Sequence, residues 1–302
     1  MNNKSTIEKQ NKYINDLFFN KIVGICCHDA GAAEILSSFV KKYSFNYIFY
    51  IKGPAIKIFK KKLKNIKIIN KKNFINKSEV ILFGTSTNYF ELKLLKSLVK
   101  KIYSIFFLDH WSFYQKRFLF KNKYYLPSEI WVSDRYAFDL VGKYFDIKKK
   151  IINNPYFDEI AKIKIKTKSK YFLYVSSNIN NSDFYSFRKF NNITLFYNAI
   201  KLIKKLKLKN IINKNINKII YKPHPAEYMK NIPKINYPGY KIKIVSNNES
   251  IIKLINNSQF VIGYNSAALV VAKILGIKNF NICSKFESLI PKKYIDNYID
   301  TI

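Results

Sequence analysis

Lys218-Ile219-Ile220-Tyr221-Lys222-Pro223-His224-Pro225-Ala226-Glu227 sets an apolar run against a loop that carries one of only three histidines in the chain. Proline fixes φ and offers no N–H to a sheet, so the run predicts a strand that stops at the loop, with the imidazole held between two stiff residues. Strand-sized runs that are apolar on both faces recur at 21–27, 47–51, 79–84, 103–108 and 129–133. Runs of this kind belong inside a parallel sheet. Helical patterns at 32–42 and 90–101 lie between them. Strand and helix in alternation predict an α/β, doubly wound architecture.

The alternation pauses over 153–170 and restarts with 171–175, a helix near 195–207, and further apolar segments at 216–221, 240–245, 250–256, 260–263 and 267–275. The chain of 302 residues is therefore expected to form two Rossmann-like domains, 1–165 and 166–302, facing across a cleft at the carboxyl ends of their strands.

The formal net charge is +35, and 54 residues are Lys or Arg. Lysine, asparagine, isoleucine, phenylalanine and tyrosine are enriched together, the signature of an AT-rich coding sequence rather than of a function. The basic residues are spread along the chain and few are arginine, whereas base and phosphate recognition favours arginine's bidentate fork. No specific nucleic-acid partner is expected. Peripheral contact with an anionic membrane and attraction of an anionic nucleotide fit the charge. Cys26, Cys27 and Cys283 sit in apolar contexts and suggest neither a disulfide framework nor a zinc site, which points to a reducing, cytoplasmic setting. Residues 1–20 lack the apolar core of a signal peptide, and no apolar stretch reaches the roughly 20 residues of a membrane span. The expected location is the cytoplasm, with work at the inner face of the membrane open to it.

Polar loops follow the predicted strands. His28-Asp29-Ala30-Gly31 presents a single carboxylate, Asp29, which could face a ligand or cap the next helix. Gly84-Thr85-Ser86-Thr87 could donate to an acceptor, though helix capping is the simpler use. Asp109 and His110 could move a proton, but adjacent residues on an extended chain point apart, which argues against a direct pair. In the second half, Ser176 and Ser177 end one strand, His224 follows another, and Gly263-Tyr264-Asn265-Ser266 precedes a helix starting at Ala267. Ser266 stands where an N-cap would, beside free N–H groups and the positive end of the helix dipole, the outline of a phosphate site. No Asp-X-Asp pair is present and the histidines are scattered, so no metal is expected and no cofactor beyond a nucleotide substrate.

The segment 222–227 and the later Phe260-Val261-Ile262-Gly263-Tyr264-Asn265-Ser266, followed by a helix ending Leu275-Gly276-Ile277, resemble the donor half of GT-B glycosyltransferases. They are most similar to the HP-motif group: bacterial sialyltransferases, polysialyltransferases, Kdo transferases and the CDP-glycerol glycerophosphotransferases. Asn154-Pro155-Tyr156-Phe157-Asp158 resembles the Gly-Asn-Pro-X-X-Asp segment that closes the first domain of related proteins.

The resemblance implies an N-terminal acceptor-side domain and a C-terminal nucleotide-donor domain. It implies a donor-binding set of Lys222, Pro225, Glu227, Ser176, Ser177, Asn265, Ser266 and Ala267, with His224 contacting the donor phosphate or protonating the leaving group. Asp29 is the matching general base, although the family's acidic pair followed by glycine is here one acid and an extra alanine. His28, Gly31, Thr85, Ser86, Asp109 and His110 are the remaining acceptor-side candidates, Asp109 or His110 being the alternative base. Many UDP-sugar enzymes of this fold carry a glutamate on the helix after the serine turn; here 269–272 is Leu-Val-Val-Ala, which suits a CMP- or CDP-linked donor. The expected activity is inverting, metal-independent transfer of a sialic-acid-like or other nonulosonic acid from a CMP donor to a surface glycan or glycolipid. A nucleotide-sugar epimerase or hydrolase, a CDP-polyol phosphotransferase, and a non-catalytic polyanion-binding protein are the alternatives.

Overall fold

The computed structural model describes residues 3–98, 102–165, 171–177, 191–225, 227, 232, 234–246, 249–283, 285 and 287–299. The chain divides into two compact units, Met1–Glu159 and Ile160–Ile302.

The first unit runs α1 (Asn3–Phe18), β1 (Ile22–Cys27), α2 (Ala30–Lys42), β2 (Asn46–Ile51), α3 (Pro54–Leu63), α4 (Lys71–Lys77), β3 (Val80–Phe83), α5 (Phe90–Lys96), β4 (Tyr103–Phe107), α6 (Tyr114–Phe118), a small hairpin β5 (Leu119–Phe120) and β6 (Lys123–Tyr124), β7 (Glu129–Val132), α7 (Arg135–Tyr144), β8 (Lys149–Ile151) and α8 (Pro155–Ala161), whose last two residues belong to the second unit. The second continues β9 (Tyr171–Val175), α9 (Asn192–Leu208), β10 (Lys218–Lys222), β11 (Lys241–Ile244), α10 (Ile251–Asn256), β12 (Ser258–Gly263), α11 (Ala267–Ile274), β13 (Asn279–Asn281) and β14 (Asn297–Tyr298).

The main sheets are ordered β2-β1-β3-β4-β7-β8 and β11-β10-β9-β12-β13-β14, parallel throughout. Counted within each sheet, the first reads 2-1-3-4-5-6 and the second 3-2-1-4-5-6, both doubly wound orders and the second the Rossmann order. Each unit is therefore a Rossmann-like domain, its strand order reversing between β1 and β3 in one and between β9 and β12 in the other. Ligands of such sheets bind outside the strand carboxyl ends at that reversal.

Aromatic side chains fill the first core. Phe18 of α1, Phe39 of α2 and Phe107 of β4 surround the buried Trp131 at centroid distances of 5.8, 5.8 and 5.9 Å. In the second unit Phe172 stacks on Phe260 at 4.8 Å, and Tyr174, Phe196 and Tyr221 form a second group. Among the described residues no helix is long and apolar enough to cross a membrane.

At the opposite end of the first sheet from the ligand edge, Glu129 opens β7 with 0% exposure. Its carboxylate accepts from Tyr13 Oη at 2.6 Å, Tyr103 Oη at 2.8 Å and Trp131 Nε1 at 3.1 Å, and Lys148 Nζ lies 3.3 Å away. These bonds tie α1 to the sheet. Removing the acceptor strands several donors together with a cation, so Glu129→Ala is expected to lower unfolding free energy by about 3 kcal/mol or more in a urea titration.

Candidate functional site

Parallel pairing brings the loops after β1, β3 and β4 to one edge of the first unit. Asp29 takes the N-cap position of α2 with extended dihedrals but makes no side-chain cap bond. Its Oδ1 instead lies 2.7 Å from His28 Nδ1, and its Oδ2 accepts from the Thr87 N–H at 3.1 Å. The carboxylate is free of capping and directed by two neighbours. The hydrogen bond to Asp29 raises the His28 imidazole above its ordinary value, against the opposing effect of burial.

The hydroxyl turn after β3 divides its duties. Thr85 Oγ1 donates to Asp109 Oδ1, Ser86 Oγ donates to or accepts from the Glu91 carboxyl and accepts from the Phe90 N–H at 3.1 Å, and Thr87 holds Asp29. Capping of α5 thus falls to Ser86, while the residue at the N-cap itself, Tyr89, is left-handed with φ of 61° and makes no side-chain cap bond.

Asp109 and His110 meet, His110 Nε2 lying 3.1 Å from Asp109 Oδ2. Adjacent side chains point apart only within a pleated strand; β4 ends at Phe107 and these two residues lie beyond it, contrary to the expectation from alternation. Burial raises the Asp109 carboxyl, but His110, Arg117 at 3.8 Å and the Thr85 hydroxyl outweigh it and hold the group well below the ordinary carboxylate range. Gly31 lets this group approach: a Cβ there would lie 2.6 Å from Asp109 Oδ2 and 3.8 Å from His110 Nε2. His28, Asp29, Gly31, Thr85, Ser86, Asp109 and His110 therefore form one connected group.

Sequence reading missed Glu91 and Asn88. Glu91 is 1% exposed and accepts from the His28 N–H at 2.8 Å, while Asn88 Nδ2 lies 3.0 Å from His28 Nε2. A lone glutamate between Phe90 and Leu92 at the start of a helix was the available signal. Burial, partly offset by the Ser86 bond, pushes the Glu91 carboxyl up to about 7.

In the second unit the reversal between β9 and β12 is closed by Ser177 Oγ donating to the Tyr264 carbonyl. Asn192, at the start of α9, donates from Nδ2 to the Ser177 carbonyl at 2.8 Å and to Glu227 Oε1 at 2.6 Å. Glu227 Oε2 accepts from the His224 N–H at 2.7 Å, and the Glu227 N–H returns to the His224 carbonyl at 2.9 Å. The Pro223-His224-Pro225 turn is thus clamped, with half-buried His224 at the strand end, while Pro225 is exposed. The Ser176 N–H donates to the Lys222 carbonyl at 3.0 Å. Lys222 is 6% exposed, its Nζ donates to the Ser246 carbonyl at 3.2 Å, and burial holds its ammonium below the ordinary lysine value.

Ser266 is the N-cap of α11, Oγ accepting from Ala268 N at 3.4 Å, and Ala267 begins the helix exposed. Asn265 has φ of 45°; its N–H donates to Asn281 Oδ1 at 2.8 Å and its Oδ1 accepts from Asn281 Nδ2 at 3.0 Å. Asn192 and Asn281 were the unit's missed polar residues, unremarkable in a chain rich in asparagine. Among the described residues no group of three or more His, Cys, Asp or Glu side chains is spaced to hold a metal ion.

The sequence matches no family model and no curated protein. The structure is similar to UDP-GlcNAc 2-epimerase from Methanocaldococcus jannaschii, solved in complex with UDP-GlcNAc and UDP, at 14% identity and TM-score 0.59, covering 92% of this chain and 88% of that one. The fold is of the GT-B kind. UDP-GlcNAc 2-epimerase from Neisseria meningitidis, bound to UDP-GlcNAc, is similar at 10% identity and TM-score 0.56, covering 87% of this chain and 83% of its own. The glycotransferase of kitacinnamycin is similar at 7% identity and TM-score 0.53, covering 93% and 86%. At these identities the likeness is one of fold.

Glu91 gives the first unit a measurable pH signature. A carboxyl raised from 4.5 to about 7 favours folding fully below its unfolded value, and that contribution is lost as pH rises through about 7. Glu91→Gln cannot ionise, so its stability relative to wild type should climb between those limits, by about 3 kcal/mol in total, in paired urea titrations. A pH-independent difference would contradict this.

Proposed function

We propose that the protein transfers a sialic-acid-like or other nonulosonic acid from a CMP-activated donor to a glycan or glycolipid acceptor, with inversion and without a metal. The observation that carries this reading is Asp29, a half-buried carboxylate placed at a helix start, released from capping and steered by His28 and Thr87. A base aimed by its neighbours is what an incoming acceptor hydroxyl requires. Asp29 removes that hydroxyl's proton as its oxygen bonds to the anomeric carbon and the bond from that carbon to the phosphate oxygen breaks, releasing CMP.

His224, on its clamped turn, and Ser266 with the first turn of α11 are assigned to the charge growing on the phosphate. Lys222 adds positive potential. Leu269, Val270, Val271 and Ala272 are buried on α11, so this stretch offers no carboxylate to a nucleotide ribose, and the cytidine assignment rests on that departure from many UDP-sugar enzymes of the fold. The same reading takes the glycolipid acceptor at the inner face of the cell membrane, with lysine-rich surface against anionic lipid.

A second reading, nucleotide-sugar epimerase or hydrolase, is favoured by the two carboxylate–imidazole pairs, Asp29–His28 and Asp109–His110, on one edge. Two such pairs could take a proton and return it.

The readings separate when purified protein is incubated with CMP-activated and UDP-activated sugars, with and without glycan acceptor. Transfer predicts turnover of the CMP donor only when acceptor is added; turnover of a UDP sugar alone supports the second reading. Asp29→Ala should lower transfer about 10²- to 10⁴-fold with CMP affinity retained. Near-normal turnover would move the base to Asp109 or His110. His224→Ala should weaken CMP binding in calorimetry, and unchanged affinity would remove His224 from the phosphate.

A further inference from the structure

The donors and acceptors around Ser86 fix where the hydrogens of this group lie. The Phe90 N–H can only donate, and it meets Asn88 Oδ1 at 3.0 Å, so this atom of the Asn88 amide is its oxygen. Asn88 Nδ2 is then the group that faces His28 Nε2 at 3.0 Å, and it can only donate. His28 Nε2 must accept, which leaves the ring hydrogen on Nδ1, directed at Asp29 Oδ1. Ser86 Oγ has a single hydrogen but two oxygen neighbours that need one: Asn88 Oδ1 at 2.8 Å and the Glu91 carboxyl. Asn88 Oδ1 cannot donate. Both contacts are satisfied together only when Glu91 brings a hydrogen of its own.

We propose that Glu91 is a protonated positioning residue at the head of a directional hydrogen-bond chain, Glu91 to Ser86 to Asn88 to His28 to Asp29, which fixes the His28 tautomer and orients the Asp29 carboxylate. Every member up to His28 donates forward to the next, Asp29 accepts, and no contact along the chain holds two hydrogens or none. When Glu91 loses its proton, the Ser86 hydrogen turns back to it. Ser86 Oγ and Asn88 Oδ1 then face one another as two acceptors, and the hold of Asn88 on His28 is released.

The surroundings agree with a neutral Glu91. From β1 it faces Cys26 and Cys27, whose thiols burial pushes up, and then His28 and the Asp29 charge, which disfavours a second negative group. Tyr89 and Arg117 share its small cavity, but the Arg117 guanidinium bonds the Ser112 carbonyl and approaches Asp109. Lys52 acts on His28 from the loop after β2. Burial independently places the Glu91 carboxyl near neutrality, so the chain should switch within the neutral range.

The proton positions stand apart from the reaction; only their meaning for catalysis rests on Asp29 being the base. The test is ¹⁵N NMR of the full chain labelled at its histidines, three in all, with the His28 signals assigned by loss in His28→Gln. Neutral His28 should be the Nδ1–H tautomer in wild type, and its shifts should show, besides the imidazole's own titration, a second step near pH 7 that is missing from Glu91→Gln, whose amide donates to Ser86 as the protonated acid does. Asn88→Asp, which sets an acceptor against Nε2, should convert His28 to imidazolium over the same range. An Nε2–H tautomer of neutral His28 in wild type, a second step that survives Glu91→Gln, or an unmoved His28 in Asn88→Asp would each overturn the proposal. If the NMR result holds while Asp29→Ala retains full transfer, the chain is real and the assigned base is wrong.

Discussion

The parallel ladder between β1 and β3 sets Cys26 opposite Phe83 and continues with the Gly84 N–H donating to the Cys26 carbonyl at 2.9 Å. On one strand the next polar residues are His28 and Asp29, and on the other they are Thr85, Ser86 and Thr87. A register shifted by one residue would turn every one of these side chains to the other face. Tight packing holds the register: a Cβ on Gly84 would meet Ala32 Cβ at 2.7 Å and Cys27 Sγ at 3.0 Å, and one on Gly24 would meet Ser78 Oγ at 2.4 Å. The geometry of the acidic group is a property of the sheet before it is a property of the loops.

Three buried carboxyl groups in one domain show how neighbours decide the state of an acid. Asp109 has a guanidinium, an imidazole and a hydroxyl within reach, and stays ionised although buried. Among the described residues Glu91 has neutral partners at hydrogen-bond distance, the His28 N–H and the Ser86 hydroxyl, and burial drives it toward its acid form. Glu129 gathers two phenols, an indole and an ammonium, and uses them to join a helix to the sheet edge. In a chain of net charge +35 the few acids are spent where direction matters.

The fold was legible where both faces of a strand are apolar, as at Ile22–Cys27 and Ser258–Gly263, because burial on both sides leaves no room for polar residues. It was illegible at β13, where Asn279 and Asn281 are fully buried yet satisfied, Asn279 Nδ2 donating to the Leu269 and Tyr294 carbonyls. Lysine-rich α3 and short α4 gave too weak a period to read. The loops bearing His28, Asp29, Asp109, His224 and Ser266 could be found from strand ends alone. Which of their side chains touch could not, because the partners of Asp29 and His28 come from Thr87, Asn88 and Glu91, some 60 residues later, and only the crossover connection brings them together.

The frame of the second unit has a different character. Asn192 joins Ser177 to Glu227, and Asn265 and Asn281 clasp each other, so its polar joints are built largely from amides. Amides neither titrate nor attract a counterion atmosphere. Salt and acidity should leave the joints between amides where they are, and added electrolyte would act on the approach of a charged ligand far more than on the shape that receives it.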